Sequence, residues 1–303
     1  MAMRVAVATM DCEDAPVTGF SNVHRAAIIR RYVNWYHGPR PGRPATLPSA
    51  VNEPDSAYDT GVVFDDVFHS ACGSQKFAEQ FPQMEDDALC KLFDECAQAA
   101  YAMRQSAGVS PAHRNSVFAV LPSISSPEGL RAACAAETTI THLHPEAIQT
   151  SIATALICRE LVIGNSLGAA VQVAKLHVTE ELTLKVLNEF PGAPPTDRGG
   201  RSPLVLGAAL YFVANSTSFN DAITQSIAFA GPANYCPVLV GSIGGALYGS
   251  GIDVLPGIAG NEVGVLKEHL AHRECKGQHL VDIADVARRI GMLWPDEVEF
   301  SKR

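Results

Sequence analysis

Positive charge is scarce in this sequence and nowhere concentrated. Its 303 residues carry 23 Lys and Arg against 32 Asp and Glu, a formal net charge of −9 with His neutral. No run of basic residues exceeds pairs such as Arg30-Arg31 and Arg288-Arg289. The electrostatic footprint that a phosphate backbone requires is missing, and nucleic acid is excluded as a partner. Cysteine pattern is missing as well. Eight Cys stand at 12, 72, 90, 96, 134, 158, 236 and 275, with no CxxC and no zinc-type spacing, as expected for reduced thiols of a cytoplasmic protein. The apolar run of residues 1–10 is cut off by Asp11, Glu13 and Asp14, before it reaches the length of a secretory signal.

Long apolar runs are also wanting. Cys236 to Ile252 has no charge over 17 residues and carries Gly241, Gly245 and Gly249, a spacing that would suit close helix contact in a membrane. It falls short of the roughly 20 strongly apolar residues a bilayer demands, contains Ser242 and Ser250, and lacks basic flanks. The prediction is a buried helix and no membrane span. No GxSxG elbow, no P-loop and no GxGxxG after a strand occurs, and the glycines of GSIGG and GGALYG lie within a helical pattern, where they serve packing.

What the chain does hold is apolar material: 47% hydrophobic residues against 18% charged, enough for a sizeable core. Its pattern is helical. Leu89, Leu92, Phe93, Cys96, Ala99, Ala100 and Met103 recur at steps of three and four and predict a helix over 85–106. Ser126-Pro127-Glu128 and His144-Pro145-Glu146 read as helix starts. Further helices are predicted at about 146–163, 167–177, 179–190, 203–215, 218–229, 237–249, 261–273 and 279–293. The helices at 203–215 and 237–249, apolar nearly all round, are expected at the centre. Only 3–8 and 116–121 look strand-like. Residues 37–56 hold five Pro and two Gly and predict a surface loop. With no repeat and no other boundary, residues 1–303 read as a single all-α domain.

Two groups of residues could carry chemistry. Asp65 and Asp66 are adjacent carboxylates after Val62-Val63-Phe64. They could hold a hard cation such as Mg²⁺, or be acids at a helix start favoured by the dipole. Thr138 to Glu146 sets three hydroxyls and two imidazoles ahead of a long helix, where orphan amides invite an anion or pyrophosphate, or a local cap from Thr141 or its neighbours.

Several segments, taken in order, resemble the ADP-ribosylglycohydrolase family. Met10-Asp11-Cys12-Glu13-Asp14-Ala15-Pro16 is similar to the family's opening Gly-Asp-Ala-x-Gly-x-Pro, and Thr141, His142 and Pro145 match its Thr-His-x-x-Pro. Ala230 to Tyr235, followed by the helix to Tyr248-Gly249, occupies the place of Gly-Gly-Asp-Thr-Asp-Thr. There the two metal-binding Asp fall on Pro232 and Asn234, and the last Thr on Tyr235. Phe64-Asp65-Asp66-Val67 stands for the family's Thr-Asp-Asp-Thr, and Ala119 occupies the place of a family Arg. The resemblance implies an all-α ADP-ribosylglycohydrolase-like bundle. Its metal residues would be Asp65, Asp66 and Asn234, and its ligand-binding residues Asp11, Thr141, His142 and Tyr235. It implies an ADP-ribose-like small-molecule partner and a dinuclear Mg²⁺ centre that has lost ligands, as in the J-type crystallin branch. The expected function is binding with weak or no hydrolysis; the alternatives are an active Mg²⁺-dependent ADP-ribosyl hydrolase and a structural, crystallin-like protein.

Overall fold

The computed structural model describes residues 5, 8–10, 12, 20–38, 46, 47, 50, 61–233 and 235–249. Asp11 and Asn234, and the helices predicted at 261–273 and 279–293, lie outside the described residues. Twelve α-helices follow one another among those described, with no named strand: α1 (Asn22–Tyr36), α2 (Val62–Cys72), α3 (Gln75–Gln80), α4 (Asp86–Arg104), α5 (Ser110–Asn115), α6 (Pro127–Thr138), α7 (Pro145–Val162), α8 (Leu167–His177), α9 (Glu181–Asn188), α10 (Ser202–Ala214), α11 (Phe219–Ala230) and α12 (Tyr235–Tyr248). The fold is all-α. No described helix is long and apolar enough to cross a membrane.

The helix starts follow from their caps. Ser126, Ser166 and Ser218 each accept a hydrogen bond from the third amide of the helix they open, at 3.0, 3.3 and 3.2 Å, which satisfies one of four orphan donors. Glu180 does the same for α9, accepting from the amides of Leu182 and Thr183 at 2.9 and 2.7 Å.

The centre of the bundle is α7. It packs against α5, α6, α8, α10 and α12, and twelve of its eighteen residues are buried. The helices of 203–215 and 237–249, expected at the centre, flank it instead. Thr150, Ser151 and Thr154 had masked its burial, since hydroxyls read as polar. Each hydroxyl is satisfied inside the core. Thr154 donates to the Thr150 carbonyl at 2.9 Å, Ser151 accepts from Asn115 Nδ2 at 2.8 Å, and Thr150 meets Thr183 at 3.5 Å. A buried hydroxyl with a partner carries little penalty.

Helices α1, α2 and α4 enclose an aromatic cluster of Tyr32, Phe64, Phe68 and Phe93, all buried. Phe64 and Phe68, one turn apart on α2, stack with centroids 3.9 Å apart and planes within 5°. Two expectations are corrected here. Residues 116–120 form a 3₁₀ turn and not a strand, closed by Arg159 of α7, which donates to the carbonyls of Phe118, Ala119 and Leu121. Near the N-terminus Val5 is helical, as are residues 8–10. In the Pro-rich segment Leu47 and Ala50 are buried, at 2% and 0% exposed, so the segment is anchored in the core at these points.

Candidate functional site

The site is built on a short antiparallel crossing of two loops. At the end of α4 Gln105 adopts a left-handed conformation, φ 47°, and turns the chain out of the helix. Gly108 then pairs with Arg201: Val109 donates to the Gly200 carbonyl at 3.0 Å and Ser202 to the Ala107 carbonyl at 2.8 Å. This crossing is the floor of a cleft of about 550 Å³. Its walls are the start of α2 from Gly61 to Phe64, the segment ahead of α7 with His142, His144 and Glu146, and Tyr235 at the start of α12.

Two glycines make the floor possible. A methyl group on Gly108 would stand 3.2 Å from His142 Nε2, and one on Gly200 would stand 3.2–3.3 Å from Tyr235 Cε1, Cζ and Cε2. Both rings therefore rest on bare backbone. Tyr235 is held from behind by His113, whose Nε2–H donates to the Tyr235 carbonyl at 2.9 Å. Burial pulls the His113 imidazole down to about 4, so it is neutral at pH 7.

Thr141 and His142 are fixed by a buried ion pair. Thr141 and His142 both donate their amides to the Thr138 carbonyl, at 3.1 and 2.8 Å, so the chain leaves α6 in a tight turn. Arg114, on α5, donates to Thr141 Oγ1 at 2.7 Å and through Nε to Glu137 of α6. Tyr32 donates its hydroxyl to Glu137 at 2.7 Å. Arg114 and Glu137 are 2% and 0% exposed. A guanidinium can only donate, so Thr141 accepts from it and has its own proton left for His142 Nδ1, 2.8 Å away. Among the described residues the buried Thr141 hydroxyl has no other acceptor for that proton, which assigns the His142 proton to Nε2, the nitrogen beside the glycine floor. Burial and the Arg114 charge hold its pKa near 3, and it acts as a neutral N–H donor.

The cap of α7 is His144 and not Thr141: His144 Nδ1 accepts from the Glu146 amide at 3.2 Å. Glu146 is in turn gripped by Arg201 through two hydrogen bonds of 2.8 and 2.6 Å, which ties the floor to α7.

Of the residues that the resemblance assigns to a ligand, His142 and Tyr235 line the cleft, and Thr141 is buried behind His142 and hydrogen-bonded to it. Asp65 is exposed, Asp66 pairs with Arg104, and neither lines the cleft. The cleft-facing start of α2 is Gly61 to Phe64, so the paired carboxylates fall just past it along the helix. Among the described residues no three His, Cys, Asp or Glu side chains converge as a metal site would require. A hard dication needs several oxygen ligands, and the described residues do not by themselves supply them. Arg114, Tyr32, Gly200 and Arg201 were not recognised from sequence, because each acts across a separation that no local motif reports. One signal was available, an Arg and a Glu on apolar helix faces.

No curated relative matches the chain. Among solved structures it is similar to one titled "ADP-ribosylglycohydrolase-related protein complex", at 17% identity and TM-score 0.46 over 84% of this chain and 89% of that one. The description ADP-ribosylglycohydrolase belongs to the family that matches residues 1–287. With nearly its whole length matched, the chain belongs to the ADP-ribosylglycohydrolase family.

Proposed function

We propose that the cleft binds an ADP-ribosyl group or a closely related nucleotide, in a protein whose dinuclear magnesium centre is degraded and whose hydrolase activity is weak or absent. One observation carries this reading. His142 and Tyr235, which the family resemblance assigns to the ligand, line one cleft, with Thr141 buried behind His142, while Asp65 and Asp66, assigned to the metal, are not among its lining residues and Asp66 pairs with Arg104. The cleft volume of about 550 Å³ suits a small-molecule ligand. His142 offers a neutral donor on a rigid mount, and a rigid donor loses little entropy on binding.

Calorimetric titration with ADP-ribose, in magnesium buffer and again with excess chelator, tests the reading. Saturable binding that ignores the chelator, with no release of ADP-ribose from an ADP-ribosylated peptide, is expected. Binding abolished by the chelator, together with turnover, would establish an active hydrolase instead. No binding in either buffer would leave the structural alternative.

A further inference from the structure

We propose that Tyr235 is an aromatic platform and that the ligand is recognised through a planar nitrogen heterocycle stacked on it, with His142 donating to a ring nitrogen or carbonyl. This rests on the reading that the cleft binds a nucleotide, and it names the part of the nucleotide that is read.

The point where a Gly200 methyl would sit is almost equidistant from Cε1, Cζ and Cε2, and closer to them than to the hydroxyl, so it stands over the ring face. The ring is laid flat on the Gly200 backbone. Its position is set from both sides: the Gly200 carbonyl accepts from Val109 at 3.0 Å, and the Tyr235 carbonyl accepts from His113 at 2.9 Å. With its underside packed, Tyr235 remains 40% exposed in the wall of the cleft. A large aromatic surface held at a fixed tilt, in water, inside a concavity is what base stacking uses.

The neighbours select the ring over other ligand groups. His142 Nε2–H lies on the adjoining glycine of the same floor, and it is a neutral donor suited to a heterocycle acceptor. The cationic group that lines the cleft, Arg201, gives its Nε and Nη2 to the Glu146 carboxylate, so its charge is already paired. Glycine at 200 has no conformational necessity, since its φ lies outside the left-handed region. Its role is to leave room for the ring.

The test measures binding of adenosine, nicotinamide mononucleotide, ribose 5-phosphate and ADP-ribose to the wild-type chain and to Tyr235→Phe, Tyr235→Leu and Gly200→Ala. Thermal unfolding of each variant confirms the fold, and the first two compounds show which heterocycle is preferred. The expected result is that at least one heterocycle binds and that Tyr235→Phe holds it within about twofold. Tyr235→Leu and Gly200→Ala should weaken it by about tenfold or more, with ribose 5-phosphate indifferent to all three changes. Aromatic proton resonances of Tyr235 should shift upfield on adding the heterocycle. If folded Tyr235→Leu binds every heterocycle as the wild type does, or if no heterocycle binds, the platform is overturned. The two readings separate cleanly. ADP-ribose bound equally by wild type and Tyr235→Leu keeps the ADP-ribosyl reading and removes the platform. A heterocycle lost in Tyr235→Leu, with ADP-ribose not binding the wild type, keeps the platform and removes the ADP-ribosyl reading.

Discussion

Replacing Arg114 with Met lowers the stability of the protein by about 3–5 kcal/mol, the range for removing one partner of a buried ion pair. The cost arises mainly from what is left behind. Glu137 is 0% exposed, one of its carboxylate oxygens has no hydrogen-bond partner, and Tyr32 alone would remain to stabilise its charge. A lone carboxylate there must take up a proton or admit water, and either weakens the packing of α1, α5 and α6. The same logic makes the double variant Arg114→Met, Glu137→Leu more stable than Arg114→Met alone, because two apolar side chains leave no orphaned charge. Urea unfolding of the three proteins measures this. A single variant within about 1 kcal/mol of wild type would mean that the pair does not anchor the core.

Truncation of Phe68 to Ala costs a similar amount, about 3–5 kcal/mol, as expected for a large aromatic removed from a packed interior. Phe68 is fully buried. It stacks on Phe64 at 3.9 Å and meets Phe93 edge-on at 4.9 Å, so the cavity would open among three helices that cannot all move in. The effect reaches the site, because Phe64 lines the cleft and would lose the ring that holds it. Thermal unfolding should show the loss, and ADP-ribose binding should weaken with it. A variant that keeps wild-type stability would place the folding core elsewhere than in the α1–α2–α4 aromatic cluster.

The helices most legible in the sequence were those with a local stop or start. Over 167–177 the prediction and α8 coincide, and α4, α7, α10 and α11 begin and end within two residues of their predicted bounds. Helix α1 was not seen. Its buried face of Ala26, Ile29 and Val33 is interrupted by Arg25, Arg30 and Arg31, and the apolar period only emerges once their partners are known. Arg25 pairs with Asp94 and Arg30 with Asp86, both on α4. In the site, one short pattern contains Thr141 and His142, of which His142 lines the cleft. For Asp65 and Asp66, two carboxylates in sequence say nothing about which side of a helix start faces a cleft, and among the described residues neither lines it. The glycine floor could not be read at all: Gly108 and Gly200 are meaningful only once the two loops cross.

In the proposed binding mode a buried network presents His142 to the ligand as a neutral Nε2–H donor. Long-range ¹H–¹⁵N correlation spectra of the histidine rings, recorded through a pH titration with and without ADP-ribose, test it most directly. The account predicts a His142 ring protonated on Nε2 and unprotonated on Nδ1. It should stay neutral well below pH 6, because burial and the Arg114 charge both disfavour the imidazolium, and its Nε2 signal should move when ADP-ribose is added. In folded Arg114→Met the titration should move to higher pH. A His142 that carries its proton on Nδ1, titrates near 6.5 like a free imidazole, or stays unmoved by saturating ADP-ribose would contradict it.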